Sequence, residues 1–320
     1  MREVVFLKKN EKKWRQTESL LSGNSTIDPD TLANLYLELN DDLAFAQTNY
    51  PGSNTTIYLN GLTSKIYQTL FKKKKGSLSA VVQFWRKELP LEFYYARKKL
   101  LIALIVFGVS SLIGVLSTAY DPTYPNVILG DAYMEETLHN IERGDPLAIY
   151  KDSESTSMFF RITVNNIRVS MLTFIAGILC SIGTYYLLFT NGVMLGTFQY
   201  FFYTKGLLAT SFLTIWIHGT IEISSIIIAG AAGITLGNSL LYPGTHSRKR
   251  SLAEGAKRGV KIILGLIPLF IIAGFLESFV TRYTEWHWSV RLTIILGSLI
   301  FIIFYTVVWP RRVYLEKDSL

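Results

Sequence analysis

From residue 100 onward the chain is built from long stretches without charge. Residues 100–119, 169–190, 191–204 and 292–310 carry no charged side chain, 206–247 carry only Glu222, and 262–281 carry only Glu277. About 20 apolar residues span the hydrocarbon core of a bilayer, and buried helices of soluble proteins rarely run so long uncharged. The pattern predicts spans at Leu100–Ala119, Ile167–Phe189, Gly192–Tyr203, Phe212–Leu241, Ile262–Thr281 and Leu292–Trp309. Gly192–Tyr203 is short and reads equally as a re-entrant or tilted piece, so five or six spans fit. Phe212–Leu241 would reach roughly 45 Å at 1.5 Å per residue; it must tilt, break at His218-Gly219 or project from the membrane. Pro268 predicts a kink in the fifth span.

Before residue 100 the periodicity is that of amphipathic helices. Phe6, Trp14 and Leu21 share one side of a helix over 4–22 ended by Gly23. Asp28-Pro29 is an N-cap followed by proline at the first helical position. Leu32, Leu35, Tyr36, Leu39, Leu43 and Ala46 then recur at helical spacing. After a turn at Tyr50-Pro51-Gly52-Ser53, a third helix presents Ile57, Leu59, Leu62, Ile66 and Leu70. Residues 78–90, with Trp85 and ended by Pro90, predict a short helix lying at the membrane surface. No alternating strand pattern occurs. The expected fold is all-α: a helical domain over 1–98 and a polytopic membrane domain over 99–320.

Composition agrees, with 49% hydrophobic and 18% charged residues and a net charge of +8. Soluble domains usually carry about 25% charged residues. Topology accounts for the positive excess without nucleic acid. Lys/Arg in short flanking loops face the cytoplasm. Residues 1–99 hold 16 Lys/Arg against 10 Asp/Glu, and the loop 242–261 and the tail are also basic, whereas 120–166 hold eight acidic and three basic residues. Both termini and 242–261 are therefore expected in the cytoplasm and 120–166 outside. Val4–Leu7 is too short for a signal-peptide core, so the first span is the expected insertion signal. The run Lys72–Lys75 reads as a solvated loop or as a contact with anionic headgroups. Cys180 precludes a disulfide framework within one chain and reads as a small buried packing residue.

Candidate chemistry lies in the spans, where ionisable groups cost roughly 2.5–3.5 kcal/mol on insertion scales. His218 and Glu222 are four apart and share a helix face; Glu277 on another span can join them. The set reads as a polar tie between helices, a proton or substrate path, or a metal site, which needs three or four ligands. HxxxE lacks the second histidine of a zinc-protease HExxH. Asn165, Asn166 and Arg168 are expected to open the second span and Asn191 to end it, as caps or as a polar mouth. Gly192, Gly196, Gly230, Gly233 and Gly237 permit close helix approach and a homodimer. Walker A, GxGxxG and GxSxG motifs are absent. No catalytic, metal or cofactor residue is assigned, and an enzyme is disfavoured.

Three segments resemble the stage II sporulation protein M family: DDLAFAQTNYPGSNTTIYLNGL (41–62), FFRITVNNIRVSMLTFIAGILCSIGTYYLLFTNGVMLG (159–196) and IHGTIEISSIIIAGAAGITLGNSLLYPG (217–244). The resemblance implies a multi-pass protein of the bacterial inner membrane. Its long cytoplasmic N-terminal region resembles the non-sporulation branch, whose genes often neighbour those of MoxR-type ATPases and von Willebrand A-domain proteins, the partners implied beside the lipid bilayer. The expected role is a membrane scaffold or assembly component, with a peptidoglycan-remodelling or engulfment-type role by resemblance. A transporter, channel or permease-like subunit working through His218, Glu222 and Glu277 is the first alternative, and an intramembrane metal hydrolase the second.

Overall fold

The computed structural model describes residues 1–22, 28–70, 78–148, 154–283 and 286–318. Gly23 and the Lys72–Lys75 run lie outside them. Among the described residues all regular structure is helical, and the chain divides into two compact units, Met1–Leu78 and Ser79–Leu320.

The first unit holds α1 (Glu3–Ser22), α2 (Pro29–Asn49) and α3 (Asn54–Leu70). Asp28 caps α2 by accepting the Thr31 N–H at 3.1 Å, one residue before Pro29, whose missing N–H costs nothing there. The apolar stripes converge on one core of Phe6, Trp14, Leu32, Leu39, Leu43, Ala46, Leu59, Leu62 and Ile66. The Trp14 indole N–H donates to Asp42 at 2.8 Å, and Lys13 pairs with the same carboxylate. Ile57 departs from the expected stripe and is exposed.

The second unit opens with α4 (Leu78–Tyr120), a single run of helix. Pro90 was expected to end a surface helix, and it does not. A π-helical turn at Phe84–Glu88 precedes it, and proline occupies the first turn of the α-segment that follows. Proline donates no hydrogen bond to the carbonyl four residues back. That carbonyl, Arg86, accepts instead from the Trp309 indole N–H at 3.1 Å, and the Trp85 carbonyl accepts from the Tyr305 hydroxyl at 2.7 Å. Side chains thus satisfy backbone groups that would otherwise break the helix, and the expected boundary at residue 98 falls inside α4. Tyr305→Phe removes one of these donors. It should lower stability by about 1 kcal/mol, read as a lower melting temperature in detergent; an unchanged melting temperature would refute this account of the turn.

After α5 (Tyr124–Leu129) and α6 (Asp131–Glu142) come α7 (Ser155–Ile175) and α8 (Ile182–Thr204). Here the structure corrects the sequence reading. Ile167–Phe189 is not one span: the chain reverses at Leu179–Ser181, with Cys180 and Ser181 in the left-handed region (φ 51° and 68°). Cys180 is therefore a partly exposed turn residue. Gly192–Tyr203 is not a separate piece but the second half of α8. Antiparallel α7 and α8 are joined across the hairpin by the Thr184 hydroxyl, which donates to the Thr173 carbonyl at 2.7 Å.

Next come α9 (Leu208–Leu241), α10 (Arg248–Val280) and α11 (Trp288–Asp318). α9 passes through His218-Gly219 without a break, and α10 passes through Pro268 as one helix. Helices α4, α9, α10 and α11 are each long and apolar enough to cross a membrane. Helices satisfy their own backbone groups, as a bilayer requires. Leu101, Leu104, Leu112 and Leu116 on α4 and Leu296, Ile300 and Phe301 on α11 are exposed, as lipid-facing positions would be. Helix α9 lies at the centre, packed against α4, α7, α8, α10 and α11.

Small residues set the spacing. A Cβ on Gly192 would come within 2.7 Å of the Phe107 carbonyl, and one on Gly196 would meet the Ser111 carbonyl, so α4 and α8 touch backbone to backbone. On α9, Gly230 faces Leu188, Gly233 faces Thr184 and the Thr173 carbonyl, and Gly237 faces Ser181. These three glycines seat α9 in the α7–α8 hairpin.

Candidate functional site

Helix α9 runs antiparallel to α10, so His218 near the start of one meets Glu277 near the end of the other. The His218 Nε2 lies 3.8 Å from Glu277 Oε1. Glu222 follows His218 by one turn, and one ligand atom from each of the three residues lies within 4.8 Å of the other two. His218 is 3% exposed. On its other side, Nδ1 is 3.0 Å from Thr281 Oγ1, and that hydroxyl donates to the Leu276 carbonyl at 3.1 Å.

The three side chains face a cavity of about 410 Å³. Asn165 and Asn166 of α7 and Asn191 of α8 line it too, as do Leu129 of α5 and Tyr133 of α6. Asn166 is 5% exposed and stands beside the Glu222 carboxylate. The Asn191 side-chain amide donates to the Leu187 carbonyl at 2.8 Å. Three carboxamides, two carboxyls and an imidazole thus share one chamber whose other walls are Phe107, Val169, Phe198 and Ile226. Such a set can bind a cation, relay protons or hold ordered water.

Of the two roles expected for the asparagines, helix caps or a polar mouth, capping is excluded. Helix α7 begins at Ser155, about three turns before Asn165, and Asn191 lies in the middle of α8. Arg168 is also within α7, exposed and outside the chamber lining. Thr281 was not singled out from the sequence. Its spacing of four from Glu277 puts it on the same helical face, a signal of the same kind as His218/Glu222.

Comparison with known proteins fits the architecture. Residues 103–282 match the family model of Stage II sporulation protein M. Residues 4–72 match a separate domain of unknown function, DUF8413, so the segment 41–62 falls in that domain and not in the membrane one. An uncharacterised protein of Methanocaldococcus jannaschii is 28% identical over 157 residues, covering 48% of this chain and 68% of that protein. No solved structure matches the chain. Both the extent of the family match and the helical membrane architecture lead to one assignment: the chain is a multi-pass α-helical membrane protein that belongs to the Stage II sporulation protein M family.

Proposed function

We propose that the chain is a permease-like membrane subunit in which the His218, Glu222 and Glu277 chamber passes protons or small cations. The observation that carries this reading is the convergence of three ionisable side chains on one cavity, from two helices each long and apolar enough to cross a membrane. A tie between helices needs only a donor and an acceptor. It has no use for a third ionisable group or for three amides around open volume, and each buried ionisable group carries an insertion cost. The distribution of Lys and Arg supports cytoplasmic termini in the inner membrane, with 120–166 outside. In that orientation α5 and α6, which line the chamber through Leu129 and Tyr133, lie on the outer side. The test is proton flux into vesicles of the reconstituted full chain. Flux above that of empty vesicles, cut at least about tenfold by His218→Ala, supports the reading; vesicles with protein that acidify no faster than empty ones refute it.

A second reading, an envelope scaffold, is supported by the separate helical unit Met1–Leu78 with its own core. Such a unit can dock a cytoplasmic partner, including an ATPase that the chain's own motifs do not supply. Gentle solubilisation followed by identification of co-purifying proteins tests it; a chain that purifies alone argues against it.

A further inference from the structure

The hydrogen bonds around His218 specify more than a polar chamber. A hydroxyl has one proton to donate. Thr281 Oγ1 lies 3.1 Å from the Leu276 carbonyl and 3.0 Å from His218 Nδ1; when the hydroxyl donates to that carbonyl, its oxygen accepts from His218 Nδ1–H. In a neutral imidazole whose Nδ1 carries the proton, Nε2 presents its lone pair. That lone pair faces Glu277 Oε1, an acceptor, 3.8 Å away. Two electron-pair donors at this separation can share a positive centre, a proton or a metal ion, between them. Histidines that ligate metals typically donate their other ring N–H to an oxygen, which fixes tautomer and ring orientation.

We infer that His218, Glu222 and Glu277 form a binding site for a divalent first-row transition-metal ion. At metal–ligand lengths of about 2.1 Å, two ligand atoms sit roughly 3.4 Å apart at a tetrahedral angle and about 4.2 Å apart across the ion. The 3.8 Å between Nε2 and Oε1 lies between these limits, whereas a pair at the 4.8 Å bound must close by about 0.6–1.4 Å, a carboxylate rotamer adjustment, to share one ion. Charge agrees: two carboxylates and a neutral imidazole are balanced by a dication, which removes the cost of net charge at membrane depth. Arg161 acts on Glu277 from an exposed position, where solvent weakens its field. One nitrogen and two carboxylate donors suit Zn²⁺, Mn²⁺, Fe²⁺ or Co²⁺, whereas Ca²⁺ takes six to eight oxygens and Mg²⁺ near-ideal octahedral oxygens. An independent feature points to a guest. Asn166 is buried beside Glu222 and lines the cavity, and its Nδ2, turned to that carboxylate, forms no hydrogen bond of good geometry among the described residues. A metal-bound water in the remaining position would meet that amide.

The inference rests on the permease reading in that the chamber must admit a cation, and the two can be separated by experiment. The purified full chain is stripped with chelator and titrated with Co²⁺ as the probe, read by visible absorption, bound-metal analysis and melting temperature. The expected result is one Co²⁺ per chain, displaced by Zn²⁺ and not by Mg²⁺, with a melting temperature that rises on binding. His218→Ala and Glu277→Gln should each weaken binding at least tenfold. Thr281→Val, which loses the oxygen that orients the ring, should weaken it about tenfold while keeping the stoichiometry. Less than stoichiometric Co²⁺ on the native chain with no thermal shift overturns the site, and so does full binding in both ligand variants. A stripped protein that passes protons but binds no Co²⁺ keeps the permease reading and loses the metal. A protein that binds one Co²⁺ but is tight to protons does the reverse.

Discussion

Glu222→Leu is expected to raise the melting temperature of the detergent-solubilised protein while removing its chamber function. A glutamate at membrane depth costs roughly 2.5–3.5 kcal/mol on insertion scales, and leucine is mildly favourable at the same depth. Among the described residues, Glu222 is compensated by its place in the cluster and the neighbouring Asn166, and neighbouring polar contacts of this kind return about 1 kcal/mol. The chamber has room for a leucine side chain. The net change should therefore be a gain of about 1–3 kcal/mol, several degrees for a domain of this size. Groups kept at a cost in stability mark sites selected for something else. If the carboxyl were a structural tie, the same substitution would lower the melting temperature.

Gly196→Leu should have the largest effect in the opposite direction. A Cβ there would meet the Ser111 carbonyl and lie 2.8 Å from its carbonyl carbon and 3.0 Å from the Val115 nitrogen. These are backbone atoms on α4, which cannot rotate aside as a flexible side chain can, so α4 and α8 must separate. Separation also opens the contacts of Gly192 with the Phe107 carbonyl and of Gly114 with Val193. The cost should reach about 3 kcal/mol, the upper end of overpacking penalties, with aggregation or a melting temperature lower by roughly 6–12 °C. Gly108→Leu is the control: on the same helix α4, nothing lies within 4 Å of its added Cβ. Equal loss in both variants, or none in either, would refute the packing argument.

What was legible in the sequence follows from which physical signals are local. Uncharged runs of bilayer length revealed most of α4, α9, α10 and α11, because burial in lipid is a property of composition along one helix. The α7–α8 hairpin was not legible. Its turn falls inside the uncharged run 169–190 and carries neither proline nor asparagine; the residues that adopt left-handed angles are Cys180 and Ser181. What allows the reversal is packing against Gly233 and Gly237, more than 50 positions later. That error moved the start of the helix from Ser155 to residue 167 and left capping open beside a polar mouth for Asn165, Asn166 and Asn191. Pro90 misled similarly, because its vacant acceptor is satisfied by Trp309 from the far end of the chain. The site itself was largely legible: the i, i+4 spacing of His218 and Glu222 and the isolation of Glu277 needed no tertiary information. Their mutual approach, and Thr281 behind the imidazole, required the antiparallel pairing of α9 and α10.

In this reading the chamber is a working site and not packing. The most direct test is proton flux per folded protein in vesicles carrying Glu222→Leu, measured on the sample whose melting temperature has been taken. A chain as stable as the native protein or more so, with flux reduced to that of empty vesicles, is the predicted result. Native flux in the variant, or flux lost only in proportion to unfolded protein, would contradict the claim.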